Sequence, residues 1–167
     1  MTPSIELRPF EPDDLGAIAQ LYVDAVHALA VDHYDLAQRE AWAPRAIDQD
    51  RWSTRLDGLT TVVATSESRL VGFVAWREDG YLDLLYVHPD MARRGLGARL
   101  VAVVEEDAAA RGVDLVWASA SDVSRPLFAK LGYAPQREEQ IDVRGETLRS
   151  TIMEKRLGAA PPEGARG

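Results

Sequence analysis

Cysteine is absent from the 167-residue chain, so disulfide bonds, a thiol nucleophile and cysteine-ligated metal sites are all excluded. Histidine occurs three times, without HxH or HExxH spacing, and we therefore predict no metal site. No apolar run approaches the roughly 20 residues needed to cross a bilayer, so we expect no membrane segment. Basic residues are not in excess either. The net charge of -8 argues against nucleic-acid binding, which needs a cationic surface.

The composition that remains is that of one folded domain. Hydrophobic residues make up 46% of the sequence and charged residues 28%, which is enough for a substantial core at this length. The first residues carry neither the basic nor the apolar stretch of an export signal, so we expect a cytoplasmic protein. We predict a single domain over residues 4–157 and a disordered tail over 158–167, where Gly, Ala and Pro predominate.

Residues 81–111 combine three signals in the order strand, loop and helix. An aromatic and apolar run at 81–87 predicts a strand. Residues 88–90 (His-Pro-Asp) end that strand, because proline cannot donate to a β-ladder. Residues 93–97 (Arg-Arg-Gly-Leu-Gly) then lead into a helix whose apolar residues recur every four positions and would share one face.

The loop and the helix start together predict a binding site for an anion. A helix N-terminus leaves backbone N–H groups without partners and carries the positive end of the helix dipole. Gly95 and Gly97 would let a phosphate approach those groups, and Arg93 and Arg94 would add charge-assisted donors. The alternative is an ordinary loop, in which the glycines ease a turn and the arginines are solvated.

The glycine spacing separates this loop from two other phosphate-binding motifs. Leu100 stands where a dinucleotide-binding fingerprint needs its third glycine, and the Gly-Lys-Ser/Thr ending of a Walker loop is absent. The segment instead closely resembles the acyl-CoA pyrophosphate loop of the GNAT superfamily of N-acyltransferases. That motif is Gln/Arg-x-x-Gly-x-Gly/Ala after a strand ending in a Leu-x-Val-x-Pro-like segment. Residues 85–89 and 95–97 match it, while Ala92 stands where Gln or Arg is usual.

A second segment and the order of elements extend the resemblance over residues 4–157. Residues 125–133 (RPLFAKLGY) resemble the family's second signature, Phe-Tyr-x-Lys-x-Gly-Phe. Residue patterns predict strands at 5–10, 59–65, 69–77, 81–87, 114–118, 138–143 and 146–153, and helices at 11–30, up to 41–44, at 48–56, from 96 and at 122–131. The resemblance implies an α+β fold, an α/β/α sandwich. Its mixed, twisted sheet has about seven strands, splayed at its centre, with helices on both faces.

The resemblance also implies a reaction: an acetyl group passes from acetyl-CoA, the cosubstrate, to a primary amine that attacks directly in a ternary complex. The backbone amide of Leu85 would polarise the thioester carbonyl, and the backbone groups of Val87 would hold the pantetheine arm. Leu85 therefore counts as catalytic and as cofactor-binding. The other implied acetyl-CoA contacts are Tyr86, Ala92, Arg93, Arg94, Gly95, Leu96, Gly97, Ala98, Ser121 and Phe128.

Asp83 is the candidate base. It lies on the same strand as Leu85, two residues before it, so we predict that both side chains point to one face. As a base, directly or through water, Asp83 would contribute roughly 10²–10⁴-fold to the rate. The alternative is a structural carboxylate bonded to a neighbouring strand or to an arginine.

The general acid is where the sequence departs from the family. Phe128 replaces the tyrosine that usually reprotonates the leaving thiolate, and a phenyl ring donates no proton. Ser121, Ser124, Tyr133 or water could serve instead, or the thiolate could leave unassisted. Ser121 also has a simpler interpretation as a helix cap, and Tyr133 as a core residue.

The segment between the first two strands holds the candidates for acceptor binding. His33, Tyr34 and Trp42 lie in or near a stretch without periodicity, where functional residues concentrate. His33-Tyr34 and residues 41–44 further resemble a bacterial subgroup of small GNAT proteins. His27 is interpreted as a packed or surface histidine. Polyamines, aminoglycosides, aryl amines, amino acids and protein termini all remain open as acceptors.

Two other functions also remain open, as does the question of whether the chain forms a homodimer. A catalytically degenerate domain that binds acyl-CoA as a sensor is the main alternative, because Phe128 donates no proton. A protein that sequesters a drug or toxin through its aromatic segment is the third. Homodimers are common in the family, and the last hairpin would be their edge, but the sequence does not decide this.

Overall fold

The computed structural model describes residues 3–158, so the predicted disordered tail lies outside the described residues except for Gly158. The elements follow the predicted order. The strands are β1 Ile5–Pro9, β2 Thr60–Ser66, β3 Arg69–Trp76, β4 Tyr81–Val87, β5 Leu115–Ser121, β6 Ala134–Val143 and β7 Glu146–Arg156. The helices are α1 Leu15–Leu29, α2 Leu36–Trp42, α3 Gln49–Leu56, α4 Leu96–Ala110 and α5 Arg125–Lys130. Within the described range, no helix combines the length and the apolar character that a membrane crossing needs.

The seven strands form one mixed sheet in the order β1-β2-β3-β4-β5-β7-β6. Neighbouring strands are antiparallel throughout, except for β4 and β5, which run parallel. These two strands pair only at Tyr81↔Trp117 and Leu82↔Ala118, near the start of β4. Past these pairs the ladder stops, which leaves a gap between β4 and β5 at the centre of the sheet. The splayed, seven-stranded α+β fold that we predicted is confirmed.

Helices cover both faces of the sheet. Leu96, Leu100, Val104 and Ala108 of α4 are buried together against one face, as their four-residue spacing predicts. Phe128 of α5 joins the same cluster. On the opposite face, α1 and α3 pack on β2, β3 and β4 through Ile18, Leu21, Leu56, Val63, Phe73, Ala75 and Leu84. A third cluster ties α1 and α2 to β7 through Val23, Val26, Ala30, Tyr34, Ala43 and Leu148.

Several boundaries differ from the predicted ones, because pairing with a neighbouring strand extends the strands. The last hairpin pairs from Ala134 to Arg156, rather than over 138–153, and β5 continues to Ser121. Since β5 is longer, α5 begins at Arg125 rather than at 122. Ser121 is therefore the last residue of a strand and not the helix cap that we considered. Its Oγ still accepts the Ser124 N–H at 3.2 Å, just before the helix.

Candidate active site

A cavity of about 740 Å³ opens at the gap between β4 and β5. One end is bordered by the loop over residues 92–98, which we call the cradle. The other end is formed by apolar side chains that we call the acceptor wall: Val26, Leu29, Tyr34, Trp42, Val123, Ile141, Val143 and Leu148. Asp83 and Leu85 of β4 and Ser119 of β5 line the cavity as well. The cavity therefore joins the predicted cosubstrate loop to the predicted acceptor residues.

The cradle presents a run of backbone N–H groups that have no acceptor. Arg93 (φ 62°) and Gly95 (φ 85°) both adopt left-handed backbone conformations, which turn the chain into the first turn of α4. None of the amides of residues 93–98 forms a hydrogen bond with a described residue. The first paired amide is that of Arg99, which donates to Gly95 O at 3.2 Å. This arrangement suits an anion with several oxygens, such as a pyrophosphate.

Side chains around the cradle leave room for such a ligand. Arg93 and Arg94 are exposed, and neither forms a salt bridge with a described carboxylate. A Cβ added at Gly95 would meet no atom within 4 Å, whereas one at Gly97 would come within 2.8 Å of Leu127 Cδ2. The Leu96 side chain is buried in the core, so only its backbone can face a ligand.

A β-bulge in β4 decides which way its side chains point. Consecutive residues of β3 pair with Leu82 and Leu84, so Asp83 is an extra residue without a partner. Leu82 and Leu85 consequently both pack with the α4 cluster, while Leu84 packs on the opposite face. Our prediction that Asp83 and Leu85 share one face is therefore wrong. Strict alternation does not continue through a bulge.

The Asp83 side chain is instead held by Arg55 of α3. The guanidinium donates to Asp83 Oδ1 at 2.7 Å and to Oδ2 at 2.9 Å. Hydrogen bonding to this carboxylate raises the pKa of Arg55. The structure thus contains the arginine contact that was the alternative to a base. Each carboxylate oxygen nevertheless keeps a further lone pair that can accept from an amine or a water, and Asp83 borders the cavity.

After the bulge, backbone groups of β4 face the gap. The His88 N–H donates to Val71 O of β3 at 2.8 Å. Because peptide groups alternate along a strand, the N–H groups of Val87 and Leu85 point to the other edge, where pairing with β5 has ended. The predicted roles of Leu85 and Val87 require free backbone groups at this edge.

Of the candidate proton donors, Ser121 and Ser124 lie at the cavity and Tyr133 does not. Phe128 is 2% exposed and packs edge-on against Tyr133. The Tyr133 hydroxyl donates to Glu105 Oε2 at 2.7 Å, outside the cavity lining, and burial raises the pKa of this phenol. Tyr133 is therefore a core residue, which agrees with the simpler interpretation of the sequence. Ser121 and Ser124 do line the cavity.

Three polar residues at the site carried no signal in the sequence. Ser119 and Ser150 line the cavity, and their hydroxyls hydrogen-bond each other across β5 and β7. Arg55 lies 28 residues before Asp83 in a helix that carried no functional motif. Only the folded sheet brings these residues to the gap.

The three predicted acceptor residues come together at the other end of the cavity. His33 is exposed at the rim, and Tyr34 is 4% exposed. The Tyr34 hydroxyl donates to Arg149 O at 2.8 Å and accepts from Asp122 N–H at 2.9 Å. Burial raises the pKa of this phenol. Tyr34 therefore offers its ring to the cavity, while its hydroxyl connects β7 to the turn before α5.

Trp42 and His27 are both fixed by hydrogen bonds. Trp42 Nε1 donates to the Tyr86 hydroxyl at 3.3 Å, and the Tyr22 hydroxyl donates to Trp42 O at 3.1 Å. His27 Nε2 bonds Ala43 O at 2.8 Å, in agreement with its interpretation as a packed histidine. In the described part of the chain, no three His, Asp or Glu side chains are grouped so that they could hold a metal ion.

Comparisons with known proteins agree with this geometry. The sequence model of a family described as the acetyltransferase (GNAT) domain matches residues 29–157. The chain is 30% identical over 150 residues to the uncharacterized N-acetyltransferase YafP of Escherichia coli K12, covering 90% of this chain and 95% of that protein. A GCN5-related N-acetyltransferase structure from Rhodopseudomonas palustris matches with a TM-score of 0.88 and 37% identity, covering 94% and 99% of the two chains. The YncA structure from Salmonella typhimurium, solved with acetyl-CoA, shares the fold (TM-score 0.69, 22% identity, coverage 96% and 99%).

Proposed function

Because this chain belongs to the GNAT superfamily of acetyltransferases, we propose that it transfers an acetyl group from acetyl-CoA to a primary amine of a small molecule or peptide. The amine attacks the thioester directly in a ternary complex within one domain, residues 4–157. The observation that carries the proposal is the cavity that joins the cradle, the free edge of β4 and the acceptor wall. The acetyl-CoA bound to the similarly folded YncA supports the choice of cosubstrate.

The cradle would bind the pyrophosphate of acetyl-CoA. Its unpaired amides lie at the N-terminus of a 15-residue helix, where the helix dipole favours an anion. Arg93 and Arg94 have no carboxylate partner among the described residues and are free to donate to phosphate oxygens. Since most donors belong to the backbone, Ala92 in place of Gln or Arg removes one side-chain contact and leaves the rest.

The free edge of β4 would hold the pantetheine arm and activate the thioester. Backbone groups of Val87 would bond the arm, and the Leu85 N–H would donate to the thioester carbonyl oxygen, where negative charge develops. The amine nitrogen attacks the carbonyl carbon, forming the C–N bond. Collapse of the tetrahedral intermediate breaks the C–S bond, and the electron pair leaves with the sulfur as a thiolate.

Asp83 would take the proton that the attacking amine must lose, directly or through water. Its oxygens already accept from Arg55, so this bond fixes the carboxylate at the edge of the cavity, and each oxygen keeps a lone pair that can accept from a further donor. Phe128 cannot reprotonate the thiolate. We propose that the proton comes from water, either directly or relayed through the hydroxyl of Ser121 or Ser124, which lines the cavity and regains a proton from water as it gives one up.

The test is CoA release from acetyl-CoA across a panel of amines, with Asp83→Asn beside the wild type. We expect turnover to fall by roughly 10²–10⁴-fold in Asp83→Asn, with the acetyl-CoA dissociation constant unchanged. Asp79→Asn is the matched control, because Asp79 also pairs with an arginine, at 3.1 Å, but on an exposed turn. Its turnover should equal that of the wild type.

Arg55→Leu separates the base from the structural alternative. This variant breaks the ion pair but keeps the carboxylate, so a base should retain much of its turnover. Equal losses in Asp83→Asn and Arg55→Leu would show that the pair is structural. Tight acetyl-CoA binding without turnover on any amine would favour a sensor, and absence of binding would refute the proposed role of the cradle.

A further inference from the structure

The charges and contacts of the acceptor wall point to the kind of amine that enters it. We infer that the acceptor is a primary amine on an uncharged, apolar body of aryl type, and not a polyamine or an amino acid. This inference rests on the proposed function, and it names the substrate class of the same cavity.

The wall is formed by side chains of four separate segments. Val26 and Leu29 come from α1, and Tyr34 and Trp42 follow it in the chain. Val123 precedes α5, and the last hairpin supplies Ile141, Val143 and Leu148. The lining also includes Asp32, His33, Arg149 and Ser150, so a mainly apolar surface carries a few polar groups. This is the composition of a pocket that binds a small apolar ligand. Because the cavity of about 740 Å³ must also admit the pantetheine arm, the acceptor body is small.

The polar atoms of the wall already have partners. The Tyr34 hydroxyl both donates and accepts, and Trp42 Nε1 donates to Tyr86. Neither ring therefore offers a free donor to a ligand. A hydroxyl-rich acceptor, such as an aminoglycoside, would lose its hydration here without gaining matching bonds, which is unfavourable.

Two ion pairs lie next to the wall. Arg149 donates to Asp122 Oδ2 at 2.8 Å from Nη2 and at 3.2 Å from Nε, and the Asp122 side chain is 9% exposed. Arg55 and Asp83 form the second pair. Arg39 and Arg144 beside the wall donate to the carbonyls of Tyr34 and Ala41. Arg93 and Lys130 of the lining have no carboxylate partner among the described residues, but they belong to the cradle and to α5. A carboxylate bound at the wall would have to displace an acid or a backbone carbonyl from its arginine. A second ammonium would have to displace one of the arginines.

Exposed apolar side chains occur at the rim and in the chain segment next to it. Within residues 3–158, four large hydrophobic side chains are exposed. Ile141 (37%) lines the cavity, while Val31 (51%) and Leu36 (53%) lie within three residues of Tyr34 in the sequence. Asp32 and His33 also line the cavity and are exposed. Among the described lining residues, Asp32 is the only acid without a salt bridge, and its carboxylate lies in water. That is too few for a polyamine with several ammonium groups.

Three amines distinguish the classes: 2-phenylethylamine, its carboxylate analogue phenylalanine, and spermidine. We expect kcat/KM for 2-phenylethylamine to exceed both others by at least about tenfold. Binding of acetyl-CoA is measured separately by calorimetry. If acetyl-CoA does not bind, the proposed function itself fails. If acetyl-CoA binds but spermidine or phenylalanine is the best acceptor, the inference that the acceptor has an uncharged, apolar body is overturned. The same holds if none of the three amines is acetylated.

Substitutions at Ile141 test where that preference arises. Ile141→Glu should reduce the preference for 2-phenylethylamine over spermidine by at least about fivefold, because a second cation gains a partner at the rim. Ile141→Lys should likewise reduce the preference for 2-phenylethylamine over phenylalanine by at least about fivefold, because the carboxylate of phenylalanine gains a partner at the rim. Ile47 is the matched control: it is equally exposed, at 37%, and lies outside the cavity lining. Ile47→Glu and Ile47→Lys should leave both ratios unchanged, and unchanged ratios in the Ile141 variants would refute the assignment of the wall.

Discussion

The two ends of the cavity are built from different parts of the polypeptide. The cradle is one continuous loop, and its donors are backbone amides without acceptors. The acceptor wall is made of side chains from distant segments: the Tyr34 hydroxyl, for example, bonds a carbonyl 115 residues away. One end is polar and unsatisfied, whereas the other is apolar and has its hydrogen bonds already made. Binding at the cradle should therefore depend little on the loss of a side-chain contact and strongly on access to its amides, whereas the wall should change its specificity with each change of side chain.

The largest effect on ligand binding is expected from a single methyl group in the cradle. Gly95→Ala places a Cβ in space that is empty in the protein and at φ 85°, where the strain costs about 1–2 kcal/mol. Losing one or more amide contacts to a charged phosphate should weaken acetyl-CoA binding by about 10- to 100-fold, measured by calorimetry.

Gly112→Ala is the control for backbone strain. Gly112 has φ 75° and likewise no atom within 4 Å of an added Cβ, but it follows α4 at the end remote from the cradle. Both variants should lose similar free energy of unfolding, while only Gly95→Ala loses affinity. Equal affinities would mean that the cradle does not contact the cosubstrate.

A smaller effect is expected from the arginines of the cradle. The double variant Arg93→Ala/Arg94→Ala removes two exposed guanidinium groups, and exposed ion pairs contribute about 0.2–1 kcal/mol each. Acetyl-CoA binding should weaken by about three- to tenfold, and less at high salt, while KM for the amine stays constant.

Arg45→Ala/Arg51→Ala is the corresponding control, since these exposed arginines lie outside the cavity lining and form no salt bridge with a described carboxylate. Its acetyl-CoA affinity should equal that of the wild type. An equal loss in both double variants would indicate that general positive charge, and not the cradle, attracts the cosubstrate.

The smallest effect on ligands is expected from the hydroxyl of the acceptor wall. Tyr34→Phe leaves the Asp122 N–H and the Arg149 carbonyl without their shared partner, at a cost of about 1–3 kcal/mol in stability. Thermal denaturation should show this loss, and KM for the amine should rise by about two- to fivefold because the wall loosens.

Tyr133→Phe removes a comparable buried bond, to Glu105, outside the cavity lining. It should lower the melting temperature without changing KM for the amine. If Tyr34→Phe leaves that KM unchanged as well, the wall does not depend on this hydroxyl for its shape.

The same contrast explains what the sequence could predict. The loop was predictable because its signals are contiguous: a strand end, two arginines, two glycines and a helix start all lie between residues 81 and 111. The helical face of α4 was predictable because its apolar spacing matches the helix period. The succession of strands along the chain followed from alternation and turns, and their arrangement in a splayed sheet from the family resemblance.

The rest depends on contacts between distant segments. The bulge at Asp83 comes from the register between β3 and β4, which no pattern within β4 reveals, and it reverses the face that alternation predicts. Arg55, Ser119 and Ser150 are ordinary residues in their own elements. They reach the site only because the sheet and α3 bring them there, so their presence in the cavity could not be predicted from local patterns.

The gap between β4 and β5 would give a bound cosubstrate an effect on stability. The sheet consists of two smaller sheets, β1–β4 and β5–β7–β6, joined by two residue pairs. A pantetheine arm that bonds the free edge of β4 would stabilise the sheet where β4 and β5 do not pair. Since it would bind only the folded protein, it would stabilise the fold by about 2.7 kcal/mol at a free concentration of about 100 times its dissociation constant. The supply of acetyl-CoA would then set the protein's resistance to unfolding as well as its rate.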